Sequence, residues 1–348
     1  MIRASVVGGA GYAGGELLRL LTGHPEVEVV QVTSERLAGK PVATVHPPLR
    51  NRTDLRFSSR DSLEPADVVF VAMSHGESSG VIGPLRAAAP VVIDLGADFR
   101  LRDAADYPQW YGWVHPAPEL LGAAVYGLAE LHRAEIAGAA LIATGGCLAT
   151  ASILGLLPLA CAGVLDLRVP LVVEAKVGSS AAGAQPGEAT HHAHRSGELR
   201  SYAPTGHRHT AEIAQELRAG SSGPAVSFSA TAVEAVRGVL VTAHAFLSND
   251  LDDRALWQLY RSRYASEPFV RIVKSRTGLH RSPNPKLLTG TNYCDVGFER
   301  DPLSRRVVVT AALDNLVKGS AGQAVQAFNV RHGFPETLGL EFNGLYPI

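Results

Sequence analysis

The chain opens with a strand, a glycine-rich loop and an apolar helix, joined without intervening residues. Ile2 to Val7 reads as the strand, Gly8-Gly-Ala-Gly-Tyr-Ala-Gly-Gly15 follows, and Glu16-Leu-Leu-Arg-Leu-Leu21 is apolar on one helical face. Glycines 9, 11 and 14 fit G-x-G-x-x-G, and glycines 8, 11 and 14 fit G-x-x-G-x-x-G. In either frame, backbone without Cβ atoms can approach a pyrophosphate, whose charge then rests on the helix N-terminus. A glycine pattern alone is weak. With a strand before it and a helix after it, the pattern predicts the first unit of a dinucleotide-binding α/β domain. The cofactor positions expected from it are Gly8, Ala10, Gly11, Tyr12 and Ala13.

A second strand, Val27 to Ser34, ends where such a fold reads the adenosine ribose. Ser34 and Arg36 suit a 2′-phosphate, because a hydroxyl and a guanidinium complement a dianion. Glu35 between them would favour an unphosphorylated ribose if aimed at it, or else points into solvent. The pair Ser34 and Arg36 leads us to expect NADP. Strand-like runs at 67–73 and 91–95 continue a repeated βα pattern and a parallel sheet, and Ser74, just past the first run, is a further cofactor candidate.

Cys147 stands in Ala143-Thr-Gly-Gly-Cys-Leu-Ala-Thr150, after an apolar run at 139–143 and before a helix start expected near Thr150. A thiol at a strand–Gly–Gly–helix junction faces the positive pole of the helix, a setting that favours thiolate. A free cysteine is also a common small core residue, and the junction alone leaves both readings open. In Thr205-Gly-His-Arg-His-Thr-Ala-Glu-Ile213, Glu212 can fold back on His209 across one helical turn, fixing its tautomer as an acid/base needs. The same segment also reads as a solvated basic loop. His207 is the alternative acid/base. Arg195 and Arg208, whose guanidinium forks match phosphate or carboxylate, and Glu212 are the substrate-binding candidates. The histidines of Thr190-His-His-Ala-His-Arg195 read as a polar loop near a substrate or partner. No Cys/His/carboxylate set has a recognised ligand spacing, so no metal is expected. Asn315, after the strand 306–313, is placed either near a nicotinamide or as a plain helix cap.

At 348 residues two domains are expected, one of residues 1–147 with 318–348 and one of residues 148–317. From 167 onward longer strands at 167–177, 226–231, 238–247 and 306–313 suggest a mainly antiparallel sheet with helices on one face. A helix is expected over 251–264, capped by Asn249 or Asp250. Residues 44–51 and 220–224 read as surface loops. Net charge is −1, which leaves no nucleic-acid footprint. No apolar run is long enough for a membrane. Three cysteines argue against a disulfide framework and for a reducing cytoplasm, with Cys161 and Cys294 expected in the core.

Taken together, these segments resemble the N-acetyl-γ-glutamyl-phosphate reductase family within the semialdehyde dehydrogenases. The resemblance runs over essentially the whole chain. It is carried by residues 8–17, Asp94-Leu-Gly-Ala-Asp-Phe-Arg100, Gly-Gly-Cys at 145–147, residues 206–212, Gly290-Thr-Asn-Tyr-Cys-Asp-Val-Gly297 and Asp-Asn-Leu-Val-Lys-Gly at 314–319. Residues 176–183, 191–192, 202–207 and 278–285 look most like the lysine-biosynthesis branch. Leu148 and Glu35 depart from that branch. The resemblance implies a Rossmann-type domain plus an α+β catalytic and dimerisation domain, in a homodimer or homotetramer. It implies NADPH-dependent reduction of an acyl phosphate through a Cys147 thioester. The substrate would be 2-aminoadipyl 6-phosphate held on the small acidic carrier LysW. The alternative is a free small-molecule acyl phosphate, as in the acetylglutamyl reductases of arginine biosynthesis, or a carrier-linked glutamyl phosphate. A dinucleotide-binding sensor without catalysis is a rival class, but it needs neither the thiol nor the His-Arg-His-x-x-Glu set.

Overall fold

The computed structural model describes residues 1–218 and 223–348. Part of the stretch read as a loop at 220–224 therefore lies outside the described residues. The chain divides into two compact units. One comprises Met1–Gly145, Gly183–Gln185 and Ser320–Glu341; the other comprises Gly146–Ala182, Pro186–Gly319 and Phe342–Ile348.

The first unit is built on seven strands: β1 Ile2–Val7, β2 Val27–Thr33, β3 Phe57–Ser58, β4 Val68–Val71, β5 Val91–Asp94, β6 Ala124–Tyr126 and β7 Leu141–Ala143. Their order is β3-β2-β1-β4-β5-β7-β6, and every pairing is parallel. All residues of β4, β5 and β7 are buried. Strands covered on both faces cannot alternate apolar with polar, so these runs are continuously apolar. Strand order reverses between β1 and β4, which is where open α/β sheets leave a crevice for a ligand. The helix Gly322–His332 packs against the helices Tyr12–Leu21 and Ala129–Gly138. Residues 44–51 do not form a plain loop. They include the end of a short helix, Val42–Val45, and a 3-10 turn, Pro47–Leu49. The prolines that suggested a loop occupy the first turn of that 3-10 helix, where no N–H is needed.

The second unit has β8 Leu171–Val177, β9 Leu199–Ala203, β10 Val226–Val233, β11 Val239–Phe246, β12 Val270–Ile272, β13 Cys294–Arg300 and β14 Arg306–Leu313. The order is β12-β13-β14-β11-β8-β10-β9, with parallel pairs only at β12·β13 and β8·β10. The helix Cys147–Cys161 lies across β8, β11, β13 and β14. Its residues from Leu148 to Ala160 are all buried, as a central helix requires. Along β8 and β11 buried residues alternate with Val172, Glu174, Leu240, Thr242, His244 and Phe246, which retain exposure.

Pro158 interrupts the central helix from within. It has no N–H, so the Leu154 carbonyl four residues earlier loses its ordinary donor. The helix Asp253–Tyr264 supplies a replacement: Tyr264 donates its hydroxyl to Leu154 O, and Tyr260 donates to Gly155 O at 2.9 Å. That helix is capped by Asp252, which accepts from Ala255 N at 2.7 Å, not by Asn249 or Asp250. Asp252 immediately precedes the first helical residue, which is where a carboxylate reaches the N–H of the third residue of the turn. Tyr264→Phe leaves a buried carbonyl without its donor and is expected to cost about 1–3 kcal/mol. Urea unfolding of the variant beside the parent protein measures it.

Candidate active site

In the first unit, β1 runs into Gly8, whose φ of +79° is open to glycine and few other residues. A Cβ at Gly14 would lie 2.7 Å from Gly9 Cα, so only glycine lets the helix start against the loop. Around the Cβ position of Gly11, the helix N-cap, nothing lies within 4 Å. Tyr12 is exposed at the first turn, with Ala10 and Ala13 half-buried beside it. The loop is therefore held close on its inner side and open at the helix start, which fits a pyrophosphate there. His46, a residue with no motif to announce it, donates from Nε2 to Gly9 O at 2.8 Å and braces the loop.

At the end of β2, Ser34 precedes a 3-10 turn, Glu35–Leu37. Glu35 uses both carboxylate oxygens locally. Oε1 accepts from Arg60 N at 2.8 Å and Oε2 from Ser59 Oγ at 2.9 Å. The Arg60 N–H, and then the Ser59 hydroxyl, hold its pKa below the ordinary carboxylate value. Arg36 is exposed beside it and forms no ion pair among the described residues. Ser74 lies exposed just beyond β4, its N–H donated to Glu77 Oε2 at 3.2 Å. The next loops are tied down by buried acids. Asp94 accepts from Ser78 Oγ and Gly96 N, each at 2.8 Å, and burial pushes its pKa up to about 6. Asp98 accepts from Gly76 N at 2.7 Å and Ser79 N at 2.9 Å. Arg100 donates to Thr144 O at 2.7 Å and Leu95 O at 3.1 Å.

In the second unit, Cys147 is the first residue of its helix rather than three residues ahead of it, because Gly146 takes the extended N-cap conformation. The thiol therefore sits at the helix N-terminus itself. Gly146 donates its N–H to Glu212 Oε2 at 2.8 Å. The other oxygen of Glu212 lies 3.7 Å from His209 Nε2. A Cβ at Gly146 would fall 2.2 Å from that same Nε2, so the imidazole rests on the glycine next to Cys147. Glu212, placed among the substrate-binding candidates by sequence, is fully buried and spans His209 and the cysteine turn instead.

His207 is also buried. Its Nδ1 accepts from His209 N at 3.2 Å, and the two rings meet edge to face, 4.6 Å between centroids. Burial, then the Arg208 charge, pushes its pKa down to about 4. An Nδ1 that accepts leaves the proton on Nε2, which faces the Tyr202 hydroxyl at 3.4 Å. Tyr202, on β9, keeps 41 % of its surface exposed. Burial around its hydroxyl, with the Cys147 charge second, pushes its pKa up to about 12. Sequence marked the stretch 202–207 only as a resemblance and did not single out Tyr202 as a site residue, because β9 is an exposed edge strand without apolar alternation.

Arg195 is tied into the unit. It pairs with Glu198 and donates to Val233 O at 2.5 Å and Val177 O at 3.4 Å. Arg208 is half-buried beside the two histidines. His191, His192 and His194 are exposed. Asn315 Oδ1 accepts from Gly238 N at 2.8 Å while Nδ2 donates to Ser180 Oγ at 2.9 Å, so its amide is oriented by two loops of its own unit. Cys294 is buried as expected, but Cys161 is exposed, because it falls in the last turn of the helix beyond the sheet's cover. Among the described residues no cluster of His, Cys, Asp or Glu has metal-binding geometry, and no helix is long and apolar enough to cross a membrane.

Residues 3–139 match the family model "Semialdehyde dehydrogenase, NAD binding domain", and residues 147–315 match "Semialdehyde dehydrogenase, dimerisation domain". A Thermomicrobium roseum protein provisionally named LysW-L-2-aminoadipate 6-phosphate reductase is 57% identical, with 100% of both chains covered. The Deinococcus radiodurans LysW-L-2-aminoadipate 6-phosphate reductase is 49% identical over 99% of this chain and 97% of its own. A Haloquadratum walsbyi relative, 52% identical over 99% of this chain and 98% of its own, is provisionally named for both LysW-L-2-aminoadipate and LysW-L-glutamate phosphate. Among solved structures, aspartate semialdehyde dehydrogenase II of Vibrio cholerae shares the fold. Its TM-score is 0.72 at 17% identity, over 95% of this chain and 98% of its own. Both domain models and full-length relatives agree: the chain belongs to the semialdehyde dehydrogenase family, alongside the relatives named LysW-L-2-aminoadipate 6-phosphate reductase.

Proposed function

We propose that this chain reduces carrier-linked L-2-aminoadipyl 6-phosphate to the semialdehyde, in lysine biosynthesis, using NADPH. The observation that carries the chemistry is Cys147 at a helix N-terminus with Glu212 joining its turn to His209. The Cys147 thiolate attacks the acyl carbon, the carbon–oxygen bond to phosphate breaks, and a thioester remains on the enzyme. Phosphate is a good leaving group, so the protein need supply only nucleophile, orientation and charge stabilisation. Bound NADPH supplies a hydride. The resulting oxyanion falls to the N–H groups of the first helical turn. His209 protonates the thiohemiacetal oxygen and takes that proton back as the aldehyde leaves and the thiolate re-forms.

The substrate class comes from the relatives' names, and the reverse reaction tests it. Aminoadipate semialdehyde on its carrier protein and free N-acetylglutamate semialdehyde are each offered with phosphate and NADP. A higher kcat/KM for the carrier-linked aldehyde supports the reading, and turnover of the acetylated compound alone transfers the chain to arginine biosynthesis. Glutamyl and aminoadipyl differ by one methylene, worth only about 1–3 kcal/mol.

The exposed His280 and Arg281 are the basic groups offered to an acidic carrier, whereas Arg195 and Arg200 both pair with Glu198. Attraction between such groups and the carrier is screened beyond about 10 Å at 0.1 M salt. Carrier-linked turnover should therefore fall steeply with added salt while a small acyl substrate responds weakly. Arg281→Glu should weaken the carrier-linked reaction most. An unchanged salt profile and an unaffected Arg281→Glu enzyme count against the carrier.

NADP preference rests on Glu35 being held by Ser59 and Arg60, which leaves Arg36 for the 2′-phosphate. Arg36→Ala should raise KM for NADPH by roughly 10–100-fold, the loss of one charge-assisted contact, and leave KM for NADH nearly unchanged. Equal effects would assign the ribose to Glu35. The half-exposed face of β8 and β11, with Val172, Leu240 and Phe246, is proposed to pair with a second copy of the chain. Three thiols outside any disulfide suit a reducing cytoplasm.

A further inference from the structure

Between β14 and the helix Gly322–His332 the backbone makes a π-turn, Val317–Ala321. Single π-turns are uncommon and gather at functional sites. This one is anchored at its base by Asp314, a fully buried carboxylate. Asp314 accepts from Leu316 N at 2.8 Å, Gly290 N at 2.6 Å and Arg237 Nη1 at 2.9 Å. Its carbonyl accepts the wide i→i+5 bond from Gly319 N at 3.0 Å. Lys318 is fully buried, with Nζ 5.7 Å from the centre of the Phe269 ring. The turn is thus fixed from below by charge and hydrogen bonds rather than left to solvent. At its crest stands Gly319. A Cβ there would lie 2.5 Å from Cys147 Cβ and 3.1 Å from Cys147 Cα. Real Cβ atoms do not approach so closely, and a helix-initial backbone has little freedom to retreat.

From this contact we infer that Gly319 is a positioning residue for Cys147: the crest of the π-turn sets where the thiol stands on its helix, and glycine is required because the cysteine fills the space of its side chain. The inference rests on the reading of Cys147 as nucleophile. Gly319→Ala should push the first turn of the cysteine helix aside by a few tenths of an ångström or more. Misplacement on that scale costs up to roughly 10²-fold in rate. The expected result for the full-length protein is a kcat lower by roughly 10- to 100-fold, with NADPH affinity unchanged. The rate of Cys147 alkylation by iodoacetamide, followed against pH, should shift as well. A purely structural role would lower the melting temperature and leave the alkylation profile where it was. Wild-type kcat and alkylation in Gly319→Ala overturn the inference. Should Gly319→Ala fail to fold, the same change is made in a Cys147→Gly chain, where the clashing Cβ is gone. Recovery of folding there supports the contact, and failure in both backgrounds overturns it. Turnover retained by Cys147→Ser would instead sink the nucleophile reading and leave the contact standing, so the two failures are distinguishable.

Discussion

Cys147→Ser is expected to keep its fold and its NADPH affinity and to lose turnover by several orders of magnitude, up to about 10⁶-fold by comparison with other covalent nucleophiles. The reason lies in the group that replaces the thiol. A helix N-terminus can stabilise a thiolate, which ionises readily, but it cannot ionise a serine hydroxyl. A serine would need a strong base aimed at its proton, and the proposed reaction gives the neighbouring imidazole a different task. His209 rests on Gly146 and Glu212, and in the proposed reaction its proton goes to the substrate oxygen. Serine fits the space, and the turn keeps its bond from Gly146 to Glu212, so stability should barely change. Single-turnover measurements separate the steps. The parent should release one equivalent of phosphate per active site before the coenzyme is consumed, and Cys147→Ser should release none. Steady turnover by the serine variant above about one-hundredth of the parent would rule out the covalent route, since nucleophile loss ordinarily costs far more.

How far the sequence could be read follows from where each signal resides. The strands of the first sheet were legible because burial on both faces makes them continuous apolar runs, as at Val68–Val71 and Val91–Asp94. The glycine loop was legible because the close approach of Gly9 and Gly14 admits no side chain. Features that depend on distant contacts were not. Nothing local distinguishes Glu35 aimed at a ribose from Glu35 held by Ser59 and Arg60, a pairing 24 and 25 residues away. Glu212 was read correctly as a neighbour of His209, since both lie on one helical turn, but its bond to Gly146 spans 66 residues. Arg195 looked available for an anion although Glu198 stands three residues on; its other partners, the carbonyls of Val177 and Val233, leave no trace in composition. The start of the cysteine helix was misplaced by three residues because glycine is a poor helix former. Here Gly146 is the N-cap, where that weakness does not matter.

The two histidines should separate cleanly on replacement. His209→Asn is expected to lower kcat by roughly 10²–10⁴-fold, the usual worth of a positioned acid/base. His207→Asn should lower it far less. His207 cannot donate a proton at neutral pH and then recover it, because burial and Arg208 hold its pKa near about 4. Its structural part is to accept the His209 N–H, which an asparagine oxygen can also do. The same depressed value predicts a stability effect with a definite sign. In the unfolded chain a histidine takes up its proton near pH 6.5, whereas in the fold His207 resists until about pH 4. The unfolded state therefore binds the extra proton throughout that interval. The contribution of neutral His207 is fully present above pH 6.5 and is lost as pH falls through about 4. A shift of that size corresponds to about 3 kcal/mol, because one pKa unit is worth about 1.4 kcal/mol. The melting temperature of the parent should thus fall relative to His207→Asn as the pH is lowered from 7 to 4, while the two differ by a constant amount above pH 7. Differential scanning calorimetry over that range reads the stability, and the pH profile of kcat reads the chemistry. If His207→Asn removes the catalytic limb that His209→Asn leaves in place, the assignments of the two rings are reversed.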